Sequence, residues 1–408
     1  MSRVLVTGLG TISPHGDDTG AMFDALLAGR SAIREVLPEL PKPAAAAPVE
    51  FDETRWFTKL QLAGVDRVSR LAVAAADLAV RAAFATVGDA RPDLDVEPER
   101  IGVYVGCGMG GAAALETAYR APNGRVPPLT VPAFMPNAPA AHVAMRLGVR
   151  GPVLTYSVAC ASSAVALAEA AKAVRSGEVD LAIAGGTEAL LVPGVVLAWQ
   201  AMQTLASFAP GEAASACRPF AVDRSGFVLG EGAAFMVLEG ESRARARGAR
   251  VHAELAGWGI SCDATHLTKP DAAGQALAIR QALRGAGLAP RDVGYCNAHG
   301  TATKAGDPIE AEALAAVWGD ALGDLRVSST KALHGHLLGA AGALEALITV
   351  LAVERAALPP NAHCAEIDPA VRLHLVREPE QREPALRAAL SSSFAFGGTN
   401  SALVFTKA

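Results

Sequence analysis

The stretch TYSVACASSAVALAEAAKAVRS, residues 155–176, decides how this chain is read. A short β-branched run ends at Val158, small residues follow, and an Ala-rich segment continues at helical spacing. The pattern predicts a strand, a sharp turn and an amphipathic helix, with Cys160 on the turn. A thiol there has free backbone N–H groups and a helix dipole close by, which favour the thiolate. A tight strand-to-helix turn also lifts a nucleophile clear of its sheet. A buried, inert thiol is the usual fate of a single cysteine. Polar segments elsewhere decide between the two.

Outward from this stretch, strands and helices alternate. VDLAIAGG (179–186), AAFMVLEG (233–240), IGVYVG (101–106) and RVLVT (3–7) read as buried strands. Residues 20–29, 66–88, 140–152 and 274–287 read as helices, and 390–405 as a closing hairpin. Residues 120–140 carry several prolines and suit a cap or a partner contact. VSSTKALHGHLLGAAGALEALITVLAVERA (327–356) repeats the strand, turn and small-residue helix seen around Cys160, and AGGTE (184–188) is echoed by FGGTN (396–400). The chain therefore divides into two α/β units, residues 1–248 and 249–408, packed face to face with one reactive centre between them.

The 408 residues are 51% hydrophobic, enough for a large core, and 19% charged with a net charge of -5. No basic block points to nucleic acid. Six cysteines lie at 107, 160, 217, 262, 296 and 364 without CxxC spacing, so neither a zinc site nor a disulfide framework is expected, and a reducing cytoplasm fits. Cys107, Cys217, Cys262, Cys296 and Cys364 read as structural. The first residues are too glycine-broken for a secretory h-region, and no run of about 20 apolar residues predicts a membrane span.

Three segments each place one unusual group at an element end. NAHGTAT (297–303) carries His299, SSTKALHGHLLGAAG (328–342) carries Lys331 and His336, and FAFGGTN (394–400) sets Phe396 beside two glycines. With Cys160 they suit carbon–carbon bond formation on thioesters. A thiolate takes up an acyl group, backbone N–H groups hold the oxyanion, and two neutral imidazoles steady the enolate left when a malonyl thioester loses CO2. No cofactor and no catalytic metal are needed.

With these motifs in this order, the chain resembles the elongating β-ketoacyl-acyl-carrier-protein synthases over essentially its whole length, from VLVTGLGTISP to GGTNSALVF. The resemblance implies the thiolase fold, two similar halves in a five-layered α-β-α-β-α arrangement, a homodimer, and acyl carrier protein as partner. It implies that Cys160 is the acylated nucleophile and that His299 and His336 serve decarboxylation and condensation. Lys331 would orient the site with Glu345, and the N–H groups of Cys160 and Phe396 would form the oxyanion hole. Phe396 would also gate acyl against malonyl binding. Thr301 and Thr303 would touch the pantetheine arm. Met109, Phe134 and Trp199 match acyl-pocket positions, and Met109 would tune chain length.

His266, in SCDATHLT, matches a pantetheine-side loop. Asp307 and Glu310 are either helix caps or supports of the site. Asn297, Glu345, Ser391 and Asn400 match positions that hold a structural monovalent cation in relatives. Lys59, Arg67 and Arg70 are candidates for docking an acidic carrier protein, against a solvated helix face. His334 stands where a small polar residue is commoner, as a supporting group or simply exposed. The absence of cysteine after Cys364 argues against a thiolase, and His336 in place of Asn against an initiating synthase. Cys160 argues against a non-catalytic chain-length subunit. Fatty acid elongation and a polyketide or aryl polyene pathway, the latter with a chain-length factor as heterodimer partner, share these motifs.

Overall fold

The computed structural model describes residues 3–86, 88, 91–379 and 381–408. The strands that matter are β1 (Val4–Ile12), β2 (Ile101–Gly106), β3 (Val153–Tyr156), β4 (Leu181–Glu188), β5 (Gly232–Gly240), β6 (Ala253–Cys262), β7 (Tyr295–Asn297), β8 (Arg326–Ser328), β9 (His374–Leu375), β10 (Ala388–Phe394) and β11 (Thr399–Thr406). The helices are α1 (Arg67–Phe84), α2 (Ala138–Leu147), α3 (Ser162–Ser176), α4 (Ala272–Ala286), α5 (Gly306–Trp318) and α6 (Ala341–Arg355). Asp66 caps α1 by accepting the Val68 N–H, and the helix stops at Ala85 rather than running to 88; residue 87 lies outside the described residues.

The strand order is β9-β8-β7-β10-β11-β6-β1-β5-β4-β2-β3. Reading outward from the middle, β1-β5-β4-β2-β3 and β6-β11-β10-β7-β8 repeat one topology. In each half the first two pairings are antiparallel and the next two parallel. Within the sheet the halves meet where β1 pairs with β6, through Leu5–Glu254 and Val6–Ala253.

Alternation along the strands sets the layers. On β5, Met236 and Leu238 face the central core while Phe235 and Val237 face α1 and α2. On β11, Leu403 and Phe405 face the central core while Ala402 and Val404 face α4 and α5. Helices α3 and α6 fill the middle, giving α-β-α-β-α. The α3 helix is buried from Ser162 to Val174 on almost every side, so the amphipathic helix expected there is a core helix. Its small residues admit α6 closely: the Ala343 N–H donates to Ser163 Oγ at 2.8 Å, and a Cβ at Gly342 would press on Ala164. The described residues contain no helix long and apolar enough to cross a membrane.

The repeat reaches the turns. Before α3, a single 3-10 turn spans Ala159–Ala161, with Ala159 at φ 48; before α6, one spans Leu338–Ala340, with Leu338 also at φ 48. Cys160 and Gly339 are therefore counterparts. The AGGTE echo is positional only: it lies inside β4, whereas FGGTN forms the turn between β10 and β11.

Candidate active site

Cys160, His299 and His336 come from two halves of the chain, yet their ligating atoms lie within 4.8 Å of one another, all buried. His336 Nε2 is 3.0 Å from Cys160 Sγ. The backbone of His336 is fixed by donating to the Val228 carbonyl at 2.6 Å and accepting from the Gly230 N–H at 2.9 Å. Its Nδ1 accepts the Leu338 N–H at 3.3 Å, so the ring proton sits on Nε2. His299 is treated alike. Lys331 Nζ, which can only donate, is 3.5 Å from its Nδ1, leaving the proton again on Nε2. Burial first, then the Lys331 charge, holds both imidazoles well below their ordinary pKa, so both are neutral donors. The three groups have the chemistry of a soft-metal site, but a metal needs the Nε2 lone pairs that these protons occupy.

The carboxylates beneath are built for support. Glu310 accepts the N–H of His299 at 2.8 Å and of Gly300 at 2.7 Å, and the Ser392 hydroxyl at 2.9 Å. Asp307 accepts the Phe220 N–H at 2.7 Å. Neither caps α5, so the helix-cap alternative fails for both. Lys331 and Glu345 form a fully buried ion pair. Burial pushes the Glu345 carboxyl up, to about 7, against the pull of Lys331. His334 is buried, its Nδ1 at 2.8 Å from the Gly335 carbonyl and its Nε2 at 2.9 Å from Thr330 Oγ1; it supports the Lys331 turn and is not exposed.

Burial also decides the thiol. It pushes Cys160 up to about 12, while Lys331 and the backbone N–H groups of Phe396 and Cys160 itself, both directed at the sulfur, pull the other way. The thiolate expected from the turn alone is thus outweighed by desolvation, since Cys160 is only 8% exposed, in a pocket that Phe396, Leu338 and His336 also line.

A cavity of about 300 Å³ opens onto Cys160, His299 and His336. Trp199, His266, Thr301, Thr303, Asp307, Glu310 and Phe396 line it. Thr301 and Thr303 face each other at 3.1 Å. The Phe396 turn is held to the opposite wall by the Gly397 N–H on the Leu267 carbonyl at 2.7 Å and the Asp263 N–H on the Gly398 carbonyl at 2.9 Å. Sequence reasoning missed Phe227, which stacks edge-on against both Trp199 and His336. It also missed Phe394, edge-on against His299. Phe394 opens the FAFGGTN motif already read, but nothing in the type of either residue marks it apart from core.

Several expectations are corrected. Met109 is 50% exposed on the loop after β2 and Phe134 ends a short helix, Thr130–Phe134, and neither lines this cavity. Arg67 is spent on Glu231 and Arg70 on Glu53, so neither is free for a carrier protein, whereas Lys59 is exposed. Cys262 is exposed, not buried structure, with its sulfur 4.0 Å from the Gly397 carbonyl.

Of the four cation positions, Asn297 and Ser391 are register neighbours on β7 and β10, and Asn297 Nδ2 reaches the Glu345 carbonyl at 3.5 Å. Ser391 Oγ and Glu345 Oε2 have no hydrogen-bond partner among the described residues, so these oxygens fit a hard monovalent ion. Asn400 does not join them: it lies three residues along β11 from the partner of Ser391, roughly 10 Å away at strand rise, and its amide donates to Asp263 at 2.6 Å.

A buried thiol facing two imidazole protons and two backbone N–H groups, at the centre of a duplicated five-layered fold, defines a condensing acyltransferase of the thiolase type. Residues 1–244 match the model of the β-ketoacyl synthase N-terminal domain and 252–365 that of the β-ketoacyl synthase C-terminal domain. The chain belongs to the β-ketoacyl synthase family. It is 41% identical over 409 residues to nodulation protein E of Rhizobium meliloti, covering 99% of this chain and 98% of the relative. It is 36% identical over 417 residues to 3-oxoacyl-[acyl-carrier-protein] synthase 2 of Staphylococcus aureus strain N315, with the same coverage of 99% and 98%. Among solved structures, the ishigamide ketosynthase/chain length factor superimposes with a TM-score of 0.90 at 32% identity over 100% of this chain and 99% of that one. The AntDE:AntF complex, a type II polyketide synthase acyl-carrier protein with its ketosynthase, superimposes with a TM-score of 0.91 at 27% identity over 100% of both chains.

Proposed function

We propose that the protein condenses an acyl thioester with malonyl-acyl-carrier-protein, giving 3-oxoacyl-acyl-carrier-protein, CO2 and free carrier thiol, in fatty acid elongation. The observation that carries this is the convergence of two Nε2 protons and two backbone N–H groups on one sulfur. The Cys160 sulfur attacks the acyl carbonyl, the N–H groups of Cys160 and Phe396 hold the oxyanion, and the carrier thiol leaves with the proton. Malonyl thioester then enters past Thr301, Thr303 and His266. Its C–C bond breaks, CO2 departs, and His299 and His336 donate to the enolate oxygen. The enolate carbon attacks the acyl carbonyl, the Cys160 thiolate leaves and regains a proton.

Lys331, tied to Glu345, keeps His299 in the donor tautomer. Glu310 holds the His299 backbone, and Phe396 gates the cavity. Asn297, Glu345 and Ser391 hold a structural monovalent cation, and the two halves 1–248 and 249–408 act as the domains. A type II polyketide reading is favoured by the type II polyketide ketosynthase complex among the structural neighbours, and pairing with a chain-length factor by the ketosynthase/chain length factor.

The partner is an acyl carrier protein. A second copy, or a chain-length factor, pairs on β3. That strand has a neighbour on one side only, and Val153 and Leu154 are exposed on it. This partner completes the acyl pocket at Met109 and Phe134. The enzyme acts in the cytoplasm. Intact mass after incubation with a panel of acyl-carrier proteins tests the reading: a single acyl adduct on Cys160 supports it, and an unmodified Cys160 with every thioester removes it. Sedimentation of the same protein tests the pairing.

A further inference from the structure

We propose that Glu188 is a positioning residue of the condensation: its carboxylate ties the turn carrying Met109 to the turn that sets the His336 proton, so that an acyl chain against Met109 is felt at the imidazole. The proposal rests on the functional reading above.

Glu188 ends β4 and is fully buried. Its Oε2 accepts the N–H of Gly108 at 2.8 Å and the N–H of Gly339 at 3.0 Å. Its Oε1 accepts the N–H of Met109 at 3.3 Å, with the Cys107 thiol at 3.8 Å. Gly339 follows Leu338, whose N–H fixes the tautomer of His336. A continuous path therefore runs from the Met109 backbone through one carboxylate to the ring that faces Cys160.

The two turns also touch directly. A Cβ at Gly339 would collide with the backbone nitrogen of Gly108, and a Cβ at Gly108 with the Glu188 carboxylate. The Gly108 carbonyl in turn accepts the hydroxyl of Ser157, three residues before the nucleophile.

A carboxylate is a demanding group to place here. Among the described residues Glu188 has no ion-pair partner, only backbone donors and one thiol. Burial pushes its carboxyl up, to about 7, while the three N–H groups pull it down. A lone buried acid is a costly way to hold a fold. Three converging N–H groups nevertheless require an acceptor on both oxygens. An amide meets the Gly108 and Gly339 donors with its carbonyl but turns its NH2 toward Met109 N–H, severing one arm of the tie and sparing the other.

The test is a double-mutant cycle in the full chain carrying Cys160→Gln, read as CO2 release from malonyl-acyl-carrier-protein, with thermal unfolding of every variant. Met109→Ala is expected to change CO2 release severalfold when Glu188 is present, and by a clearly smaller factor in Glu188→Gln, where only the Gly108 arm of the tie remains. The same factor in both backgrounds, or no effect in either, overturns the proposal. If Glu188→Gln does not fold, Glu188→Asp replaces it with the same two outcomes, because withdrawing the carboxylate also loosens the Met109 arm. If the parent neither releases CO2 nor, with Cys160 restored, takes an acyl group, the functional reading itself has failed and this proposal falls with it.

Discussion

Cys160 Sγ and His336 Nε2 stand 3.0 Å apart, and the Leu338 N–H occupies the far nitrogen of the same ring, so the imidazole proton points at the sulfur. His336 is therefore a donor in the resting protein and not the base that removes the thiol proton. Its larger contribution falls on the enolate, because the acyl oxyanion is held by the N–H groups of Cys160 and Phe396 instead. His336→Ala should lower CO2 release by about a hundredfold or more while reducing self-acylation by much less. Trapping of released CO2 beside intact-mass acylation checks this, and equal losses would contradict the division of roles.

Cys160→Ala should abolish condensation and leave the unfolding temperature within a few degrees, since a small buried side chain is replaced by a smaller one. Cys160→Gln, which imitates the acyl group, should raise malonyl decarboxylation above the parent level. Retained elongation in the first variant would remove the nucleophile assignment.

The thiol held up to about 12 makes a kinetic statement. Below that value the thiolate fraction grows about tenfold for each pH unit. Alkylation of Cys160 by iodoacetamide, followed by peptide mass, should therefore climb through pH 7 to 9 with no plateau. A plateau below pH 8 would mean that the donors around the sulfur outweigh its burial.

Lys331→Met leaves Glu345 buried without its partner, which costs about 3–5 kcal/mol. The sign with pH follows from proton counts. The Glu345 carboxyl is raised in the folded state above its unfolded value, so the folded chain holds more protons between those two values and stability falls as pH rises through them. The variant should lose unfolding temperature steadily from about pH 5 to pH 8, and adding Glu345→Gln should flatten that slope. A flat profile in the single variant would show that the carboxyl is solvated.

How much of this was legible varies by residue. Cys160, His299, His336 and Phe396 stand in short motifs at strand ends, and a strand end is a local property that spacing reveals. The repeat around residues 327–356 was legible for the same reason, and it is the α6 elbow. Burial was not legible. It turned the expected thiolate into a thiol and the expected amphipathic α3 into a core helix, because both depend on which distant layer covers a segment. Arg67 and Arg70 looked like free surface charge, since Glu231 lies 164 positions away from the first and Glu53 carries no mark as partner of the second. Glu188 sat inside a noticed echo but drew no attention, because its partners are backbone groups and backbone has no sequence signature.

The twin elbows are unequal. Ala159 and Leu338 share one left-handed kink, yet only the first elbow carries a sulfur; the second carries Gly339, where any side chain would run into the Gly108 backbone and the Glu188 carboxylate. The pseudo-symmetric fold therefore has room for one nucleophile: a cysteine at residue 339 would need Gly108 or Glu188 to give way, and with them the contacts that brace the working site.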